Sequence, residues 1–200
     1  MSINDSLHAE ALRTFDDLLE QARVAGDPEP TAMTLATADP DGRLSARVVL
    51  LKAHDARGLV FYTNTLSRKG LALAVNPRAA VLFHWKTLRD QVQVRIEGLV
   101  ESVSDTEADA YFATRPRESQ LGAWASLQSE ALPDRSAFEA RYAQFTQQYE
   151  GRDVPRPRHW SGYRLVPDAF EFWYGVPYRL HERHVYRCVD GVWGRGLLYP

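Results

Sequence analysis

The chain holds 200 residues, with 24 Lys and Arg against 26 Asp and Glu, a formal net charge of −2, 44% hydrophobic residues and one cysteine. That length supports one domain with a sizeable core over residues 1–200, and the charge balance argues against a dedicated nucleic-acid binder. Cys188 alone allows no intramolecular disulfide, no apolar run approaches the ~20 residues that cross a bilayer, and the N-terminus lacks a basic-then-apolar export signal, so a cytoplasmic protein with no membrane partner is expected.

After a short tail over residues 1–5, residues 6–25 carry apolar side chains at Leu7, Ala11, Leu12, Phe15, Leu18, Leu19 and Ala22. That is helical spacing, stopped by Gly26 and Pro28. Thr31–Thr37 and Leu44–Lys52 flank the turn signal Asp39-Pro40-Asp41-Gly42 and read as a β-hairpin. A turn at Asp55–Gly58 leads to a strand over Leu59–Thr63. Ser67 then reads as the N-cap of a short helix from Arg68 to Val75, ended by Asn76-Pro77. Ala79–Trp85 and Gln91–Val103 read as strands, the second with Val92, Val94 and Ile96 alternating with polar residues. Ser104-Asp105-Thr106-Glu107 has capping-box form and opens a helix through Phe112. Pro116 suits the first turn of a helix through Ala125, and Phe138–Tyr149 is a further amphipathic helix. Beyond the Pro155 and Pro157 connector, Trp160–Val166, Phe170–Tyr174, Arg183–Cys188 and Val192–Leu197 read as short strands. Strands at both ends with helices between favour a mainly β, α+β architecture: a closed or nearly closed antiparallel barrel with helices packed outside.

Between Arg43 and Lys69 six cations (Arg43, Arg47, Lys52, Arg57, Arg68, Lys69) accompany one acid, Asp55. A local cationic cluster in a slightly acidic chain points to a discrete anionic ligand rather than a polyanion. Arg68 and Lys69 follow the N-cap, where the helix dipole is already positive; a bound phosphate would remove that conflict, although a plain surface turn also fits. Arg47 and Lys52 bracket an apolar strand. Five residues apart, they would face opposite ways on a regular strand and meet different anions, or simply be its two solvated ends. Tyr111, Arg115 and Ser119 form a donor set suited to one phosphate, though a helix-end arginine would look the same. Residues 179, 181 and 183 (Arg, His, Arg) would share one strand face and make a better anion site than core. His181 and His184 lack neighbouring ligand types, so no metal site is expected.

The segments RVVLLK (47–52), FYTN (61–64), SRK (67–69), RPRESQLGAW (115–124), Gln128-Ser129, EFW (171–173) and RLHER (179–183), taken in that order, resemble the pyridoxine (pyridoxamine) 5′-phosphate oxidase family over about residues 30–193. The resemblance implies a split β-barrel, non-covalent FMN, and a homodimer with sites at the subunit interface. It implies oxidation of pyridoxamine or pyridoxine 5′-phosphate to pyridoxal 5′-phosphate, with O2 as acceptor and H2O2 as product. It places FMN contacts on Arg47, Val48, Val49, Leu50, Leu51, Lys52, Tyr62, Thr63, Arg68, Lys69, Gln91, Gln128, Ser129, Trp173 and Arg183. Substrate contacts fall on Lys52, Tyr111, Arg115, Ser119, Arg179 and His181, with Arg179 and His181 aligning the reacting carbon.

Two family features differ here. A basic Arg-Arg-x-Tyr segment that often precedes the first helix is not seen before it, and Leu197 stands where the family's terminal Arg-Leu-x-Pro has arginine, with Arg195 as a possible substitute. A sister oxidase of a phenazine precursor and a non-catalytic FMN or pyridoxal phosphate carrier are the competing readings. The set Lys52, Tyr111, Arg115 and Ser119 speaks against the first, and Arg179 with His181 against the second.

Overall fold

The structure, a computed structural model, describes residues 3–200, with side chains from residue 6 onward. Helix α1 (Ile3–Val24) begins earlier than residue 6, and residues 1–2 of the expected tail lie outside the described residues. Its apolar stripe buries Ala11, Phe15, Leu18, Leu19 and Ala22, the i, i+4, i+7 pattern of a helix laid on a core. Gly26 at φ +73° closes it, with Asp27 N–H donating to the Ala22 carbonyl at 3.0 Å.

Among the described residues nine strands form one antiparallel sheet: β1 (Ala32–Ala38), β2 (Leu44–Leu50), β3 (Ala53–Asp55), β4 (Gly58–Asn64), β5 (Arg78–Trp85), β6 (Val92–Ser102), β7 (Trp160–Tyr174), β8 (Glu182–Val189) and β9 (Val192–Leu198). The order is β2-β1-β5-β6-β7-β4-β3, with β8 on β7 and β9 on β8. Chain between β2 and β3 links the two ends. Leu51 N–H donates to Thr31 on the β1 side, and Lys52 N–H donates to Val60 in β4, both at 2.9 Å. The sheet is thereby curled into a split barrel around Leu35, Phe61, Val81, Phe83, Val94, Ile96, Leu165 and Phe172.

The two strands expected at 160–166 and 170–174 are one strand, β7. Pro167 and Asp168 do not end it, because a bulge opposite Glu97 and Gly98 absorbs the missing N–H. Gly98 is required there: a Cβ would fall 1.9 Å from the Val166 carbonyl oxygen.

Helices α2 (Arg68–Val75), α3 (Asp105–Ala113), α4 (Arg117–Ala125) and α5 (Arg135–Gln148) complete the fold. Helix α3 lies over Val60 and Val103 through Ala108. A second apolar cluster of Phe112, Leu121, Tyr149, Val154 and Trp160 holds α4 and α5. No helix among the described residues is long and apolar enough to cross a membrane.

Candidate active site

A cavity of about 370 Å³ opens where β2 leaves the sheet. Arg47, Val48, Val49, Leu50 and Lys52 line it from one side, with Tyr62, Thr63, Lys69, Tyr111, Arg115, Gln128 and Trp160. Arg47 and Lys52 therefore do not serve opposite faces, as regular alternation predicts. The strand breaks at Leu51–Lys52, and the break returns Lys52 to the side of Arg47. Leu51 itself is buried in the core. Because β2 ends the hydrogen-bonded order, its outer edge offers backbone N–H and C=O groups to a ligand.

Lys69 is the most deeply seated of the cations that line this cavity. Its Nζ donates to Gln128 Oε1 (2.8 Å), Thr63 Oγ1 (3.0 Å) and Ser67 Oγ (3.1 Å), and the residue is 9% exposed. Burial, then the charge of Arg47, push its pKa down to about 8. Arg47 is itself held below the usual guanidinium value by burial and by Arg68. It donates to the Leu35 carbonyl (3.1 Å), Thr37 Oγ1 (2.9 Å) and Ser45 Oγ. Ser67 caps α2, whose first turn contains no acid. Arg68 N–H donates to Ser129 Oγ at 3.2 Å, which brings the 128–129 loop to this helix end. Gly70 lets the first turn of α2 pack against the turn before it, since a Cβ there would meet the Thr65 carbonyl oxygen at 2.2 Å. Converging cations, hydroxyls and helix N–H groups with no acid form a phosphate-binding arrangement.

The other wall is aromatic. Tyr62 stacks on Tyr111 at 4.0 Å and on Trp160 at 5.3 Å. Arg115 lies over Trp160, with Cζ 4.6 Å from the ring centre. Its Nη1 is buried and has no hydrogen-bond partner, and burial holds the guanidinium below its usual pKa. A buried charged donor without an acceptor costs about 1–3 kcal/mol or more, and a phosphate in the cavity would remove that cost. Burial also raises the Tyr62 and Tyr111 hydroxyls above the ordinary tyrosine value, so both remain donors at neutral pH. Ser119, in the first turn of α4, does not line the cavity. Trp160 is the lining residue that the sequence reading missed. It joins the stack only through the β4–β7 register, Asn64 opposite Trp160, and nothing local in the chain announces it.

The remaining expected site residues gather elsewhere. Trp173, Arg183, Glu171, Arg95, Gln93, Leu82 and Pro200 line a second cleft of about 350 Å³. Glu171, 8% exposed, accepts from Arg183 Nη2 at 2.7 Å and from Arg95 at 2.5 Å. Gln91, at φ +109°, pairs its Oε1 with His84. His181 packs on Trp173 at 4.5 Å, and its Nδ1 accepts from Val176 N–H at 3.2 Å.

Residues 179, 181 and 183 do not share one strand face. Pro177–Arg179 form a 3₁₀ turn and β8 begins only at Glu182, because Tyr178 (φ +60°) and Arg179 (φ +63°) are both left-handed. Arg195 pairs with Glu10 of α1 at 2.8 Å. Trp173 lies thirteen residues along β7 from Trp160, which lines the first cavity, about 40 Å at ~3.3 Å per residue. Within one chain the two groups are thus apart. Both border the same outer sheet face, along the row Val48, Thr34, Leu82, Arg95, Glu171. Val48 and Leu44 are 64% and 80% exposed on it. No group of His, Cys, Asp and Glu among the described residues could hold a metal ion.

Comparison with known proteins adds two family matches. Residues 19–149 match the family model described as pyridoxamine 5′-phosphate oxidase. Residues 160–200 match the pyridoxine 5′-phosphate oxidase C-terminal dimerisation region. A pyridoxine/pyridoxamine 5′-phosphate oxidase of Xanthomonas euvesicatoria is 56% identical over 97% of this chain and 98% of its own length. One from Myxococcus xanthus is 54% identical over 96% and 92%. Among solved structures, PhzG from Burkholderia lata, in complex with tetrahydrophenazine-1-carboxylic acid, superposes with a TM-score of 0.89. It is 35% identical and covers 94% of this chain and 92% of its own. A pyridoxamine 5′-phosphate oxidase-related, FMN-binding protein from Nostoc punctiforme shares the fold, with a TM-score of 0.70 at 19% identity over 94% and 95%.

Proposed function

The chain belongs to the pyridoxamine 5′-phosphate oxidase family, and from that membership we propose that it is an FMN-dependent oxidase producing pyridoxal 5′-phosphate from pyridoxamine or pyridoxine 5′-phosphate, with O2 as acceptor and H2O2 as product. The observation that carries this reading is the single cavity in which Lys69, Arg47 and the α2 N-terminus lie beside Lys52, Tyr111 and the orphaned Arg115. Two phosphate-bearing ligands need two such donor sets side by side.

In this reading Lys69, Arg47, Arg68, Gln128 and Ser129 hold the FMN phosphate. The edge of β2 from Arg47 to Leu51, with Tyr62 and Thr63, takes the polar atoms of the ribityl chain and ring. Lys52, Tyr111 and Arg115 hold the substrate phosphate, without Ser119, which lies outside the cavity. FMN held there would supply the two-electron chemistry, as hydride acceptor from the substrate and donor to O2. The protein's part is alignment and water exclusion, which can contribute up to about 7–11 kcal/mol.

We further infer a homodimer in which Gln91, Trp173, Arg179, His181 and Arg183 of one protomer complete the cavity of its partner. Support comes from their separation from the Lys69 cavity within one chain, the outer sheet face that both groups border, on which Val48 and Leu44 stand exposed, and the match of 160–200 to a dimerisation region. Arg179 and His181 then orient the pyridine ring. The left-handed backbone at Tyr178 and Arg179 costs about 1–3 kcal/mol each, a strain typical of residues held for a ligand.

The PhzG likeness favours a second reading, oxidation of a phenazine precursor. A substrate without phosphate leaves Lys52, Tyr111 and Arg115 without a partner, so this reading takes second place. The deciding experiment follows O2 uptake and peroxide release by FMN-loaded protein with pyridoxamine 5′-phosphate, pyridoxamine and a reduced phenazine carboxylate. Peroxide from the phosphorylated amine alone is expected. Equal rates with both amines would refute the phosphate assignment, and a protein that takes up no FMN would refute the cofactor.

A further inference from the structure

Arg164 is 3% exposed, yet it carries a charge that the reading above leaves unused. It sits in the first third of β7 and reaches three carboxylates on three other elements. Nη2 meets Glu107 of α3 at 2.8 Å, Nη1 meets Asp55 of β3 at 3.2 Å, and Nε lies 3.8 Å from Glu101 of β6. Two of these acids flank the substrate-phosphate donors. Asp55 lies three residues beyond Lys52, and Ala53, Val60 and Arg164 form one row across β3, β4 and β7. Glu107 precedes Tyr111 by four residues, one turn along the same face of α3. Arg115 follows directly from the end of that helix.

Helix α3 rests on Val60, Val103 and Ala108, with Tyr62 partly buried beside them, and its far end packs on Trp160 through Phe112, while Arg156 pairs with Asp105 and Asp109. None of these groups belongs to β3, the strand that follows Lys52. A forked guanidinium gripping one carboxylate on the helix and another on β3 ties those two elements together. A buried ion cluster of this kind contributes little net stability, because desolvation offsets the attraction. Its consequence is geometric.

We propose that Arg164 is a positioning residue for the substrate-phosphate clamp, setting the spacing between Lys52 on the β2–β3 chain and Tyr111 with Arg115 on and after α3. It touches no ligand itself. The inference rests on the assignment of Lys52, Tyr111 and Arg115 to the substrate phosphate. It does not involve Lys69 or Arg47, which take no part in this network.

The test uses Glu107→Gln and Asp55→Asn, whose side chains are 32% and 44% exposed and tolerate the isosteric change, together with Arg164→Gln. Arg115→Met serves as the reference for a broken clamp. Three quantities are read on the purified dimer: the dissociation constant of FMN on apoprotein, the dissociation constants of pyridoxal phosphate and pyridoxal by fluorescence quenching, and KM against kcat for pyridoxamine phosphate. The expected outcome for Glu107→Gln is a rise of about tenfold in both KM and the pyridoxal phosphate constant, with kcat falling less. FMN affinity and the weak affinity for unphosphorylated pyridoxal should move less than about twofold.

If FMN and both pyridoxal forms weaken together, Arg164 is only a structural strut and the proposal fails. Unchanged phosphate affinity in Glu107→Gln and Asp55→Asn also overturns it, whether or not Arg164→Gln folds. Should Arg115→Met itself leave the preference for the phosphorylated ligand intact, the clamp lies elsewhere, and the functional assignment falls along with the inference.

Discussion

Replacing Lys69 with methionine tests the cofactor half of the cavity most directly. Among the described residues the ammonium has no carboxylate partner; its contacts are to Thr63, Ser67 and Gln128 oxygens. An FMN phosphate would supply the missing charge, through a charge-assisted hydrogen bond of ~1.5–3 kcal/mol. Lys69→Met should therefore weaken FMN about 10- to 150-fold, measured by quenching of flavin fluorescence on titrating apoprotein. The pH dependence is the sharper readout. With a ligand-free pKa of about 8, Lys69 must be protonated before the dianion binds. Above that pH the wild-type dissociation constant should rise about tenfold per unit, while the phosphate, with a second pKa near ~6, stays dianionic. Lys69→Met should lose this slope.

Stability carries the opposite sign in the apoprotein. The folded pKa lies below the ordinary 10.5, so between about 8 and 10.5 the unfolded chain binds the proton that the folded chain has lost. This group's penalty on the fold is therefore fully present below pH 8 and relieved as pH rises through that window. Apoprotein Tm should gain from this group while FMN-loaded Tm loses. A flat affinity profile in the wild type, or an equal slope in Lys69→Met, would refute the reasoning.

Arg115→Met should raise KM for pyridoxamine phosphate by roughly 10- to 100-fold with little change in the Tm of the ligand-free protein, since relief of the buried, unpaired Nη1 offsets the lost stacking on Trp160; a large fall in Tm would mean the guanidinium is chiefly structural. Gly70→Ala places a methyl 2.2 Å from the Thr65 carbonyl oxygen, so the α2 N-terminus must shift. A loss of about 1–3 kcal/mol in urea unfolding should accompany weaker FMN binding, and unchanged affinity would mean that helix end is not the phosphate seat. Mixing Lys69→Met with Arg183→Met subunits after dissociation and reassembly should restore about a quarter of wild-type activity, because half the dimers then hold one intact site. No recovery would show that each cavity is completed within its own chain.

Much of the cavity was legible in the chain because its parts obey short-range rules. Ser67 caps a helix whose next two residues are cations; Arg47–Lys52 is a strand edge; Tyr111 and Arg115 are one turn apart. Each such signal is set by neighbours within about four residues. Most strand bounds moved by one or two residues for the same reason. The alternation rule failed where the backbone left the regular strand, at Leu51–Lys52 and at Tyr178–Arg179, and it read one bulged strand as two at Pro167.

What the chain alone settled was therefore the inventory of donors and their local presentation. Which of them meet was decided by the register of β4 and β6 on β7. That register stacks Tyr62 under Trp160, places Arg164 between Asp55 and Glu107, and carries Trp173 and Arg183 away from Lys69. Register between strands about a hundred residues apart follows from burying one face of each strand around a common core, a cooperative condition that no short window of sequence contains.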